Sequence, residues 1–380
     1  MPELPEVERA RLLLEENCVG RTISKAEAVE DKIVFQGDIT PESFSSTLTG
    51  RRVVGVHRYG KYFWMELDEG PGLVAHFGMT GNIQFEHLPP LQYRSKKSSD
   101  GSFPPRFHKF IITFSSAPSF PAEIHLAFTD PRRLGRVRFV NHPQKEPPIS
   151  LLGFDPILSM PSLEEFSKLV QKRSMPIKGL LLDQGFSAGV GNWVADEVLF
   201  QSKIHPAQPA NTLSDEECAT LHEMLQYVCN TAVSVNADSS QFPEHWIFSR
   251  RWGKGKGKGG GMTADGNKIK YETIAGRTTA IVESVQKLRK RKANPSTTED
   301  KGTSEMEEDP VATNQSKRKR TVKAEHLKKE ITAEASEELN IPTDTKADNA
   351  PIKKTKRVRV EVKKENIEGL RRSARLSKVK

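Results

Sequence analysis

Residues 1–20 read MPELPEVERARLLLEENCVG. Val7, Ala10, Leu14 and Cys18 recur at the spacing of one helix face, and Gly20 is a natural stop, so the chain opens with an amphipathic helix. Pro2, Glu3, Pro5 and Glu6 occupy its start, where both residue types are favoured. Proline lacks an N–H that the first turn would leave unpaired, and a carboxylate faces the positive end of the helix dipole. A chemical reading stands beside that one. A small second residue lets the initiator methionine be removed, which leaves Pro2 as a secondary amine. An α-amine has a pKa near ~7.7–8.0 against ~10.4 for lysine, so much of it is nucleophilic at neutral pH. Attack on an aldehyde-level carbon gives an iminium ion, an electron sink for elimination. Glu3 and Glu6 sit beside that amine, placed to move protons.

Downstream, runs rich in β-branched and aromatic residues predict strands at Val53–Arg58, Lys61–Leu67, Leu73–Phe77, Phe110–Phe114, Ile124–Phe128 and Arg136–Val140. The Pro/Ser-rich Pro89–Pro105 interrupts them as a loop insertion. From about Pro161 the apolar period becomes helical. Ser214 with Glu217 forms a capping box ahead of a buried stripe of Cys218, Leu221, Leu225, Val228 and Ala232. Lys268–Thr273 and Arg277–Val282 suggest a hairpin behind the glycine-rich Gly253–Gly261. The fold class expected is α+β: an N-terminal helix, a mostly antiparallel β-sandwich and a helical unit.

The 380 residues carry 58 Lys+Arg against 49 Asp+Glu, a formal +9. The excess is confined to residues 289–380, which hold 25 basic and 16 acidic residues, whereas residues 1–288 hold 33 of each. Nucleic-acid binding by the front of the chain must therefore come from placed residues. The last segment has no aromatic residue, and its Lys, Glu, Ser and Thr predict disorder. No apolar run approaches the ~20 residues of a membrane span, and residues 1–30 are too charged for a signal peptide. Cys18, Cys218 and Cys229 have neither zinc-like nor disulfide-framework spacing.

Met-Pro-Glu-Leu-Pro-Glu-Val-Glu opening a chain resembles the formamidopyrimidine-DNA glycosylase family, the Fpg/Nei superfamily. The resemblance continues in order at Tyr59-Gly60-Lys61, His76-Phe77-Gly78-Met79-Thr80-Gly81 and Asp130-Pro131-Arg132-Arg133. It resumes at Ile177-Lys178, Gly189-Val190-Gly191-Asn192-Trp193 and Gly276-Arg277-Thr278-Thr279, and so covers about residues 2–288.

This resemblance implies Pro2 as Schiff-base nucleophile at the deoxyribose C1′, Glu3 as the general acid that opens the sugar and Glu6 as a support for lesion or sugar contacts. It implies Lys61 as a phosphate-holding ammonium that assists β-elimination, and Arg277 as the hairpin arginine at the lesion-flanking phosphate that assists δ-elimination. His76 and Arg173 become DNA contacts. Met79 becomes a wedge that fills the stack after extrusion, which costs roughly a few kcal/mol. Arg132 reads the unpaired opposite base, while Arg133, Arg136 and Arg138 are phosphate contacts or strand-surface charges. Lys178 and Asn192 bind DNA, and the glycine N–H groups beside Asn192 form a phosphate site at a helix start within a helix–two-turn–helix element.

Departures from the family pattern carry information too. Leu134 stands where the family has a stacking Phe. Val282 and Val285 stand where bacterial members have the second cysteine pair of a zinc finger, so a zincless finger packed by apolar groups is expected. Neither metal nor organic cofactor is expected. Ala237–Arg251 is short where 8-oxoguanine-preferring enzymes carry a longer capping loop. The division expected is a catalytic sandwich domain at 2–140, a DNA-binding helical domain at 155–237, a finger region at 238–288 and a basic tail at 289–380. Lys317-Arg318-Lys319-Arg320 and Lys353-Lys354-Thr355-Lys356-Arg357 suit nuclear import or DNA tethering, pointing to the nucleus of a plant- or fungal-type organism. The expected activity is excision of oxidised bases from double-stranded DNA with abasic-site cleavage, by a monomer with no membrane partner. A Nei-like preference for oxidised pyrimidines, or a non-catalytic damage-binding protein, are the competing readings.

Overall fold

The computed structural model describes residues 2–89, 102–116, 121–252 and 261–289. Most of the Pro89–Pro105 insertion, the Gly253–Gly261 run and the basic tail lie outside the described residues. Helix α1 (Leu4–Cys18) buries Val7, Ala10, Leu14 and Cys18, the stripe its sequence spaces out, and the chain turns at Gly20 with φ 86°. Strands β1 (Ile23–Ala28), β6 (His108–Phe114), β7 (Ile124–Thr129) and β5 (Asn82–Phe85) form one antiparallel sheet in that order. Strands β2 (Val53–Tyr59), β3 (Tyr62–Leu67), β4 (Gly72–His76) and β8 (Arg136–Val140) form the second. All six expected strands are present within two residues at each end.

Three elements of the sandwich part went unpredicted, the four-residue strand β5 among them. Strand β1 reads ISKAEA and shows the sandwich core only Ile23 and Ala26, because its register shifts between Ile23 and Lys25 and breaks the period-two pattern. Helix α2 (Pro41–Leu48) has just two buried residues, Phe44 and Leu48, and is held at its start by Thr40 accepting from the Ser43 N–H at 3.2 Å. Phe44 is nonetheless central. Its ring lies 5.6 Å from Phe35 and 5.2 Å from Phe110, and the aromatic chain continues through Phe128 and Phe77 to Phe63.

A second core is helical, built by α3 (Leu163–Gln171), α4 (Ile177–Leu182), α5 (Asn192–Gln201) and α6 (Asp215–Ser234). The Ser214–Glu217 capping box starts α6 as read from sequence. Trp246 and Phe248 fold back into this core, with Phe248 edge-on to Trp193 at 4.9 Å. Strands β9 (Lys270–Ile274) and β10 (Arg277–Ile281) make the hairpin, joined by Ala275 and Gly276 at φ 49° and 70°, the two left-handed residues of a tight primed turn.

Buried ionic and polar ties bind the sandwich to the helical part. Arg58 of β2 pairs with Glu8 at 2.6 Å and with the wholly buried Asp155, which also accepts the Gly60 N–H at 2.8 Å. Tyr59 donates to the Gly153 carbonyl at 2.9 Å. Leu4, at the start of α1, belongs to the helical core rather than to that of the sandwich. The first turn of the chain is thus wedged where the two cores meet. Phe44→Ala would open a cavity at the hub of the aromatic chain and should cost about 3–5 kcal/mol in a chemical-denaturation measurement.

Candidate active site

The helix dipole and the unpaired N–H groups at the start of α5 make an anion site, and the anion that occupies it is Glu3. Its carboxylate accepts the Trp193 N–H at 3.0 Å and the Val194 N–H at 3.1 Å. The expectation placed a DNA phosphate on Asn192 and the glycine N–H groups; the N–H groups of Trp193 and Val194, next in the chain, are satisfied by this internal carboxylate. The approach explains the glycines. A Cβ on Gly191 would overlap the Glu3 carboxyl carbon, and one on Gly189 would lie 2.8 Å from the Leu4 Cβ. The Leu4 N–H donates to the Gly189 carbonyl at 3.0 Å, and Gln184 braces the loop from behind through Gly189 and Val190.

Glu6, one turn on, accepts the Glu3 N–H at 2.9 Å and the Trp193 Nε1–H at 3.1 Å. Burial raises the Glu3 pKa, with the Lys61 charge and the two N–H donors pulling it back. Burial, then the neighbouring Glu3 charge, pushes Glu6 up to about 7. Lys61 follows the Tyr59-Gly60 turn and donates from Nζ to the Val190 carbonyl at 3.0 Å. Its pKa is lowered, first by burial and then, against the pull of Glu3, by the charge of Arg277. Glu3, Glu6 and Lys61 therefore lie together, with Pro2 preceding Glu3 in the chain and Arg277 close enough to Lys61 to be felt electrostatically. His76 is neutral, its pKa depressed to about 4 by burial and then by Lys61, Arg136 and Arg138. Its Nδ1 accepts the Gly78 N–H at 3.0 Å, which leaves the proton on Nε2 as a donor.

Lys178 departs from expectation. It is wholly buried, with Nζ 2.6 Å from Asp196 and 2.7 Å from the Thr279 hydroxyl. A DNA phosphate cannot reach it in this conformation; its role is internal. Asp196 lies one turn after Asn192 on α5 and also pairs with Arg251, while its Oδ2 accepts the Ala280 N–H at 3.2 Å. Asn192 donates to the Thr278 carbonyl at 3.0 Å. These groups fasten β10, and with it Arg277, to the start of α5. Nothing local marked Asp196 or Arg251; only the shared face of Asn192 and Asp196, four residues apart, was available as a signal. Arg132, Arg173 and Arg277 are exposed, their guanidinium groups without a hydrogen bond or ion pair among the described residues. Arg133, by contrast, is engaged by Asp31 through two 2.9 Å hydrogen bonds.

Residues 1–137 match the formamidopyrimidine-DNA glycosylase N-terminal domain and residues 152–244 the H2TH domain of the same enzymes. The chain belongs to the formamidopyrimidine-DNA glycosylase family. The Arabidopsis thaliana formamidopyrimidine-DNA glycosylase is 42% identical over 289 residues, 76% of this chain and 71% of that protein. That of Heliobacterium modesticaldum is 32% identical over 301 residues, 76% of this chain and 100% of its own length. A crystal structure of the Lactococcus lactis enzyme bound non-covalently to abasic-site DNA aligns with a TM-score of 0.60 at 26% identity, over 75% of this chain and 99% of that one.

The resemblance to bacterial members implied a zinc finger at the hairpin, with cysteines where this chain has valines. Here Val282 is fully buried against Ile247, Ile269 and Ala280, with Val285 packed beside them. Gln286 ties the segment down, accepting the Val282 N–H and donating to the Ile204 carbonyl, each at 2.9 Å. These apolar groups supply no ligand that zinc would accept, so the residues present do not fit the metal.

Two expectations follow. Gly191→Ala should drive the Glu3 carboxylate off the α5 N–H groups and lower single-turnover activity by about 100-fold or more, while circular dichroism stays native. Glu6 retains its proton in the folded state between its ordinary 4.5 and about 7, where the unfolded chain has lost it. Its contribution to stability is therefore present at low pH and disappears as the pH rises through about 7. Glu6→Gln, which keeps one of the two acceptor oxygens and cannot titrate, should flatten the fall of Tm between about pH 5 and about pH 8; an unchanged slope would be inconsistent with a buried, protonated Glu6.

Proposed function

We propose that this chain is a bifunctional DNA glycosylase and abasic-site lyase of base-excision repair, acting on oxidised bases in double-stranded DNA. The observation that carries the reading is the convergence of the chain's first turn, Lys61 and the α5 N-terminus around Glu3. With Met1 removed, the Pro2 nitrogen attacks C1′ of the extruded nucleotide. The glycosidic bond breaks and its electrons leave with the base; Pro2 then gives up its proton, the C1′–O4′ bond opens with O4′ taking a proton, and an iminium joins C1′ to Pro2. Loss of a C2′ proton expels the 3′ phosphate, and a second elimination expels the 5′ phosphate, leaving a one-nucleotide gap.

Glu3, buried and raised in pKa, serves as the acid at the sugar ring oxygen, and Glu6 holds a proton beside it near neutral pH. Lys61 and Arg277 stabilise the phosphates that leave, the charge-stabilising contribution that usually dominates such sites. Arg132 reads the opposite base, Met79 fills the vacated stack, and His76, Asn192 and Arg173 contact the backbone. Formamidopyrimidines and oxidised purines are the substrates in this reading; neither competing reading has a structural observation in its favour. The four-part division at residues 140, 155, 238 and 289, a zincless finger, a monomeric state and nuclear import through the tail clusters complete it. Support for the finger comes from the apolar packing of Val282.

Borohydride should trap the protein, its Met1 verified absent, on an abasic-site duplex. Pro2→Gly, or an uncleaved N-terminal extension, should greatly weaken that adduct. Tight binding without any adduct would overturn the lyase mechanism. Arg277→Ala should leave trapping intact and slow the second elimination about 100-fold, so that β-elimination product accumulates on a denaturing gel.

A further inference from the structure

Three loops leave the same end of the sandwich. Asn82 at the start of β5 and His108 at the start of β6 both pair with Thr129 at the end of β7. The segments just beyond, Met79-Thr80-Gly81, Asp130–Leu134 and Arg106-Phe107, therefore lie together. One carboxylate joins them. Asp130 is fully buried and accepts from the Thr80 hydroxyl at 3.1 Å, the Arg132 N–H at 3.1 Å and the Gly135 N–H at 2.6 Å. Its own N–H donates to the Phe107 carbonyl at 3.1 Å. A Cβ on Gly78 would overlap the Leu134 backbone, so the wedge loop and the reading loop are in direct contact.

Phe107 is out of keeping with a surface turn. Its φ of 65° lies in the left-handed region, which is costly for a bulky side chain, yet the residue is 47% exposed. The Arg106 guanidinium carbon sits 4.5 Å from its ring centroid and covers one face. It has no other ring contact among the described residues. Strain of this kind persists where the surrounding structure imposes it, and it clusters at binding sites. Here the Asp130 N–H holds the Phe107 carbonyl, and among the described residues the second face of the ring is uncovered, at the end of the sandwich that also carries Met79, Arg132 and the 39%-exposed Leu134.

Aromatic faces and guanidinium groups on one surface are the chemistry that takes unstacked bases and phosphates. We propose that Phe107 stacks on a base of the strand opposite the lesion, next to the base that Arg132 reads, with Arg106 sandwiching the ring and facing the phosphate backbone. Leu134 has no π face, so stacking on that strand falls to Phe107, which makes Phe107 a determinant of opposite-base preference. This rests on the reading of the chain as a DNA glycosylase and assigns its opposite-strand contact.

The test uses the full chain and duplexes holding a tetrahydrofuran abasic analogue opposite each of the four bases, or opposite 2-aminopurine. Phe107→Gly removes the ring and relieves the backbone. Affinity should fall about 10-fold, differences among opposite bases should shrink, and 2-aminopurine emission in the complex should rise. Tm should hold or increase, and the wild type is trapped in parallel with borohydride on a natural abasic site. Phe107→Trp should keep the affinity and the quenching. Unchanged affinity and emission in Phe107→Gly, or a lower Tm that accounts for weaker binding, would overturn the assignment. Failure of the wild type to trap would instead strike at the lyase reading itself.

Discussion

The Glu3 carboxylate takes the first N–H groups of α5 at 3.0 and 3.1 Å, and most of the active-site geometry depends on that contact. A chain terminus ordinarily frays. Here the third residue is locked to a helix that begins 189 positions later, between glycines that admit nothing larger, with Leu4 sunk into the helical core. Pro2, whose amine the proposed chemistry requires, is thereby held next to a fixed Glu3. Lys61 is fixed to the same loop through the Val190 carbonyl. A carboxyl and an ammonium are positioned around one short segment, Gly189–Gly191.

The same segment explains an electrostatic economy. Glu3, Lys178, Asp196 and Arg251 are almost wholly buried charged residues, and isolated charges would cost several kcal/mol each. They are tolerated because they neutralise one another and because backbone donors and hydroxyls complete their shells. Arg58 with Asp155 and Glu8 does likewise at the join between sandwich and helices. In contrast, Arg132, Arg173 and Arg277 remain exposed. The front of the chain has no net charge, yet it presents cations where phosphates would lie and keeps balanced pairs inside.

Much of this was legible from spacing. The stripe of α1 and the capping box and stripe of α6 are patterns of three and four residues, and they fold as such because a helix makes those positions neighbours. Strand β1 escaped notice because a register shift and three polar side chains hide its alternation. Helix α2 escaped because eight residues carrying two apolar anchors fall below any periodic signal. Lys178 was assigned to DNA on the family resemblance alone; its burial depends on Asp196 and Thr279, which no local pattern couples to it.

By itself, the sequence determined which segments become helix, strand and turn, and which residue types open the chain. Those follow from local sterics and periodicity, whose range is a few residues. Only the tertiary structure decided which charge meets which. It seated Glu3 where a phosphate was expected, turned Lys178 inward to hold the hairpin, and brought Phe107 up against Asp130. Charge pairing is governed by distances of a few ångströms, between residues up to 191 positions apart in the chain. Those distances exist only once the two cores have closed on the first turn of the chain.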